Sequence, residues 1–227
     1  MKSNFRGILT CLLLALSPTG LAAPEETVAV TLRVAAVAIS GEMDTLWLAA
    51  PPGESAAECR LNTRSFSEAI QAKVAGDRLL FHATREAAEA SPSRPPLVSI
   101  PLAGAPAGLL LFFPEKDGYQ AMRIPEGEAG FGSFVLVNTT RAKLSWQAAG
   151  AKPVAVMPGQ RSVIPAPDGK PLPVKLAAEL AAGGSKLIRS TTWQIDPGQR
   201  EFVIVHGEPE RPRFHHLVDF RKEEATP

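Results

Sequence analysis

The chain has 227 residues, with 24 Lys and Arg against 23 Asp and Glu, 45% hydrophobic residues and few aromatics. A formal net charge of +1 with no basic block excludes the strong phosphate attraction of a nucleic-acid binder. Beyond the first stretch no apolar run approaches the roughly 20 residues of a membrane-spanning helix, so no later transmembrane segment is expected.

The opening MKSNFRGILTCLLLALSPTGLAAPE runs from Lys2 and Arg6 through an apolar centre to small residues, the order of a secretory signal peptide. A cut after Ala22 places Gly20 and Ala22 at the small-residue positions, so residues 1–22 are read as the signal and the expected location is periplasmic or secreted, in a bacterium. Loss of Lys2 and Arg6 leaves 22 basic against 23 acidic residues, a formal charge of −1. It also removes Cys11, so Cys59 remains alone and no internal disulfide is expected. Cys59, in AECRLN, reads as a small buried strand residue.

The rest of the chain consists of short apolar runs separated by turn signals, the pattern of an antiparallel β protein. TVAVTLRVAAVAI, DTLWLAA, RLLFHA, PLVSIPL, GLLLFFP and YQAMRIP are strands in the first half. SFVLVN, KLSWQA, KPVAVM, RSVIP, LPVKLAAEL, SKLIRSTTWQI, REFVIVH and FHHLVDF follow in the second. Two segments favour a short surface helix: SFSEAIQAKVAG, where Ser65 and Glu68 have capping-box spacing, and the alanine-rich ATREAAEASP. LAAELAAGG reads as a strand, with Gly183 and Gly184 turning into the next one. MPGQ at 157–160 and DPGQ at 196–199 place Pro before Gly as a type II turn requires, and PDG at 167–169 is a further break.

Sliding the chain on itself gives two partial matches. At a shift of 76, Leu61-Asn62-Thr63 falls on Val137-Asn138-Thr139 and Ile70-Gln71-Ala72 on Trp146-Gln147-Ala148; at 93, Pro96 to Ile100 falls on Arg189 to Trp193 and Leu109 to Phe113 on Phe202 to His206. The expected fold is therefore all-β: two tandem immunoglobulin-like antiparallel β-sandwich domains, with at most short surface helices. The domains are placed at 23–116 and 117–220, divided at PEKDG, with 221–227 as a disordered tail. Asn62 and Asn138 follow strands, where an Asn side chain starts a turn by bonding its own backbone.

GSFVLVNTT, MPGQ and TTWQIDPGQREFVIV together resemble a group of uncharacterised exported bacterial β-sandwich proteins. The resemblance implies a compartment and a fold and carries no activity or catalytic residues. Periplasmic pilus chaperones, which are also two immunoglobulin-like domains of this size, offer an architectural analogy only.

No arrangement of residues announces chemistry. In HHLVD, His215, Leu217 and Asp219 share one strand face while His216 turns away, so the adjacent histidines do not converge on one metal. A hydrolase or metal protein built on His215 and Asp219 is retained as an alternative. No Ser or Thr sits in a recognisable nucleophile context, and the glycine-rich EGEAGFG carries Glu126 and Glu128, which repel phosphate. Among the aromatics, Trp47 and Trp146 read as core. Trp193 offers a second alternative, a carbohydrate platform, because Arg189, Thr191 and Trp193 alternate onto one strand face as possible ligand contacts. The leading expectation is a non-enzymatic binding or assembly module of the cell envelope, without catalytic residues, cofactor or metal. It contacts another envelope protein through a sheet edge or through a loop such as GEPERPRF, 207–214.

Overall fold

The computed structural model describes residues 26–165, 170–180 and 183–221. The expected signal, the PDG turn and the tail after Arg221 lie outside the described residues. The first half comprises β1 (Thr27–Ala36), β2 (Thr45–Leu48), β3 (Ala57–Arg60), β4 (Ile70–Ala75), β5 (Arg78–His82), helix α1 (Arg85–Glu89), β6 (Val98–Pro101), β7 (Ala107–Glu115) and β8 (Gly118–Pro125). The second comprises β9 (Ser133–Asn138), β10 (Leu144–Ala148), β11 (Val154–Val156), β12 (Arg161–Pro165), β13 (Leu172–Glu179), β14 (Ser185–Trp193), β15 (Gln199–His206) and β16 (Arg213–Phe220).

Each half folds into two four-stranded sheets with the same connectivity. The order β4-β1-β7-β8 in the first half recurs as β12-β9-β15-β16, and β3-β2-β5-β6 recurs as β11-β10-β13-β14. The ladders are antiparallel except β1 with β7 and β9 with β15, which are parallel. Hydrogen bonds at the ends of β1 and β9 fix the correspondence. Ala36 N–H donates to Asn62 O and Val37 N–H to Phe112 O; Asn138 N–H donates to Gln160 O and Thr139 N–H to Val205 O. Ala36 therefore corresponds to Asn138 and Phe112 to Val205.

The second correspondence is the 93-residue shift read from the sequence, and it also places Ile100 on Trp193, opposite Leu79 and Leu172. The 76-residue match is corrected: Asn62 lies between β3 and β4 and corresponds to Gln160, whereas Asn138 ends β9. The division expected at PEKDG also shifts. Glu115 pairs with Gly118 in the β7–β8 hairpin, and the chain crosses between the halves at 126–132.

The two sheets of each half close on a core of their own. Leu32, Val34, Leu46, Phe81, Ile100 and Phe112 fill the first; Phe134, Leu136, Trp146, Leu176, Trp193 and Val203 fill the second. A third core joins the halves, formed by Ala35, Leu109, Leu111 and Ile124 against Val135, Val137, Phe202, Ile204 and Leu217. The four sheets therefore stack as layers, with the central strands β7, β9 and β15 of the two inner sheets buried on both faces. This explains the continuous apolar runs LLLFF and FVLV, since a strand covered on both faces has no reason to alternate.

Of the two expected helices, only the alanine-rich one forms. Thr84 caps it, its hydroxyl accepting from Ala87 N–H at 3.2 Å. The segment after Ser65 is instead β4, paired along β1 from Thr27↔Ala75 to Leu32↔Ile70. Ile70, Ala72 and Val74 alternate onto the first core, and that burial overrides the capping-box spacing. LPVKLAAEL is a strand, and Leu180 N–H donates to Gly184 O at the expected glycine turn. MPGQ closes with Gly159 at φ 73°, as a type II turn requires; DPGQ closes through Gln199 N–H to Asp196 O without Gly198 entering the positive-φ region.

Candidate functional site

The residues singled out at 189–193 lie on β14, at the rim of the second sandwich. Arg189, Thr191 and Trp193 do share a face, as strand alternation requires, but it is the inner one, opposite Leu176, Val174 and Leu172 of β13. Trp193 is 6% exposed and packs on Phe134 at 4.8 Å between ring centroids. Its ring is a core element with no open face for a pyranose. Arg189 stacks over Phe214 of β16 at 4.6 Å, bridging the rims of the two sheets. Trp146 is also buried, donating Nε1–H to Ser162 Oγ at 3.0 Å, while Trp47 is half-buried beneath Arg85.

His215 and Asp219 share the face of β16 that meets the first half, but each has its own partner. Asp219 is 1% exposed and carries two guanidinium groups: Arg200 Nε reaches Oδ2 at 2.7 Å, and Arg33 Nη2 lies 2.7 Å from Oδ1 as an ion pair. Arg200 also donates to Ala129 O, and Arg33 to Ser67 O. The triad couples β1 of the first half to β15 and β16 of the second.

His215 Nε2 lies 2.8 Å from Thr63 O, and since a carbonyl only accepts, that nitrogen carries the proton. Burial holds the His215 pKa below its usual value, against the pull of the Thr63 carbonyl. Burial lowers His206 in the same way, reinforced by His215 and Arg213 nearby. The next residue, His216, turns to the opposite face and meets Glu201 through Nδ1. Among the described residues no three of His, Cys, Asp and Glu gather as metal ligands. An Asp held by two arginines is an ion-pair partner, and its charge is already compensated.

The two Asn residues are turn residues of different depth. Asn62 Oδ1 accepts from Arg64 N–H at 2.8 Å at the surface. Asn138 is fully buried: Oδ1 accepts from the Thr140 N–H and hydroxyl, while Nδ2 donates to Ala142 O and Val156 O. Asn138-Thr139-Thr140 also has the form of a glycosylation sequon, but the Asn138 amide is buried and taken up by these bonds. Cys59 is buried in β3, and burial pushes its thiol up to about 12, which makes it inert.

What remains open is backbone. Among the described residues β14 ends its sheet and pairs only with β13; it is nine residues long, whereas its counterpart β6 has four. Ala149 N–H donates to Pro173 O, so Pro173 turns its backbone groups towards β10. By the alternation of an antiparallel ladder, its partner Thr192 turns N–H and C=O to the free edge, as does Ser190. The outer face beside them holds a shallow concavity of about 440 Å³, lined by Gln147, Gly150, Lys175, Ser190 and Thr192. Several other edges are short or covered, while β8, with eight residues, and β4, with six, also end their sheet. β3 has four residues and β11 three, while β16 receives Arg64 O on Val218 N–H and forms a bridge between Val218 and Ser65. The sequence showed SKLIRSTTW as a strand between two turns; nothing in it distinguished an edge from a centre.

Among the described residues no helix is long and apolar enough to cross a membrane. No protein-family model matches the chain, and no curated protein matches it.

Proposed function

We propose that this is an exported, non-enzymatic binding or assembly module of a bacterial cell envelope, which holds a partner protein by strand addition to β14. The observation that supports this reading is the long unpaired edge at Ser190 and Thr192, on a scaffold made rigid by three cores. Main-chain bonds to such an edge supply affinity, and the side chains that flank it supply selection. The signal-like first 22 residues support export. The half-buried His216–Glu201 pair is an approach to a catalytic dyad, but among the described residues no hydroxyl or thiol is bonded to His216 as a nucleophile would be.

The test is a crosslinking pull-down from native envelope with the wild-type chain and with Thr192→Pro, which removes one edge donor while leaving the β13 ladder intact. The reading expects a captured protein that is lost in the variant. Capture unchanged by Thr192→Pro, or turnover in a broad hydrolase screen that a His216 substitution abolishes, would overturn it.

A further inference from the structure

We propose that helix α1 is an acid-released latch: proton uptake by His82 beneath it frees the helix and uncovers the outer face of the β3-β2-β5-β6 sheet. The device lies in the first sandwich and is independent of the β14 edge. Side chains alternate along β5, and Leu79 and Phe81 fill the first core, so Leu80 and His82 point to the outer face of the sheet. A histidine there would ordinarily be wet. His82 is instead 1% exposed, and its Nε2 is buried without a hydrogen-bond partner. Its cover is α1, which begins three residues further along the chain and packs on β5 and β2. A leucine at this position would fill the same space without stranding a polar atom, so packing alone does not account for the imidazole.

The surrounding charges do not favour a proton in the closed form. On β2, Trp47 lies opposite His82, and beyond Trp47 on β3 stands Glu58, already paired with Arg60 at 2.8 Å. On α1, Arg85 sits over the Trp47 ring at 5.8 Å and holds Glu89 at 2.7 Å, while Glu86 is bonded to Thr84 and to its own backbone amide. On β5 itself Arg78 is bonded to Ser99, β6 carries no charge, and Arg94 in the segment after α1 is a further cation. An imidazolium at His82 is therefore a buried charge near Arg85 with no carboxylate of its own. Burial accordingly holds the His82 pKa below its usual value.

Little holds α1 down. It is one turn of five residues, too short to be helical alone, and Ala88 is its buried residue. One methyl group and the hydrogen bonds of the turn are a weak counterweight to a buried unpaired charge. Linkage sets the direction: the open form takes up a proton at about pH 6.5 and the closed form only at lower pH. The latch is therefore shut above about pH 6.5 and opens as pH falls, each unit raising the open-to-closed ratio by up to about tenfold.

Hydrogen exchange of the purified chain beginning at Ala23, read by mass spectrometry and corrected for intrinsic rates, tests the latch between about pH 7.5 and about pH 5, where Glu86 and Glu89 stay ionised. Wild-type protection at Ala88, Ala90 and Ser91, whose N–H groups are bonded within the turn, should fall by up to about tenfold per pH unit below about pH 6.5 while β15 stays protected. His82→Leu should keep α1 protected throughout, and His82→Arg should leave it unprotected even at about pH 7.5. Circular dichroism checks that each variant is folded. A second measurement needs no variant: the His82 ring resonance should titrate over the same pH range in which α1 loses protection. Wild-type protection that is indifferent to pH overturns the proposal, as does an acid loss that persists in folded His82→Leu or that reaches β15 at the same pH. A His82 ring that titrates outside that range overturns it as well.

Discussion

Replacing Asp219 with Ala should be among the most damaging single changes in the molecule. The carboxylate is buried and compensates both Arg200, itself 4% exposed, and the partly covered Arg33. Its removal leaves two cations without a counter-charge between sheets that are apolar on either side. Deleting one partner of a buried ion pair costs about 3–5 kcal/mol, because the remaining charge has lost its water and gains nothing in return. For a chain of this size that corresponds to a fall in Tm of roughly 6–20 °C. Thermal and urea unfolding followed by circular dichroism measure it. The triple replacement Arg33→Leu, Arg200→Met, Asp219→Leu should recover most of the loss, since an apolar substitute of similar volume has no charge to desolvate. A loss under about 1 kcal/mol for Asp219→Ala, or a triple variant no more stable than the single one, would refute the idea that this carboxylate holds the two guanidinium groups in place.

Three further outcomes follow from packing and protonation. Trp193→Ala should destabilise the fold by about 3–5 kcal/mol in chemical denaturation, as a truncated core aromatic does; an unchanged midpoint with lost glycan binding on an array would instead mark the ring as a ligand platform. His206 and His215 have pKa values lowered by burial, so the unfolded chain binds protons that the folded one does not. Stability should be intact above about pH 6.5 and fall as pH drops below it towards the folded values. His206→Phe with His215→Met, the residues at the corresponding positions 113 and 122, should flatten that dependence, and an unaltered Tm-against-pH slope would contradict it. Cys59 should resist Ellman's reagent in the native state and react on unfolding, and stability should decline above about pH 9 as only the unfolded thiol ionises; rapid native labelling would show that the first core is open.

Much of the architecture was legible because strand and turn chemistry is local. Pro-Gly at 158–159 and Gly-Gly at 183–184 announced their turns, and the face shared by Arg189, Thr191 and Trp193 followed from alternation alone. What a local pattern cannot carry is which neighbour a strand finds. The segment from Ser65 has the spacing of a helix start, yet Ile70, Ala72 and Val74 gain more by pairing along β1 and filling the first core. The recurring Asn-Thr came from turn chemistry used twice, at Asn62 and Asn138, in positions that are not related. The 93-residue shift was the informative one, because it joined two separate strands at a common spacing. The contact between the halves was foreshadowed by LLLFF and FVLV, whose lack of alternation reports burial on both faces. The triad of Arg33, Asp219 and Arg200 left no such trace, since its members are far apart in sequence. The free edge of β14 left none either, because a strand's place in a sheet is decided by the strands around it.

The most direct measurement of the central claim is photo-crosslinking in the native envelope from a benzophenone amino acid at position 192, with position 120 on β8 as the control. A discrete adduct is expected from position 192 that disappears when Ser190→Pro is added, with no matching adduct from position 120. Equal adducts from both positions, or none from position 192, would contradict strand addition at β14.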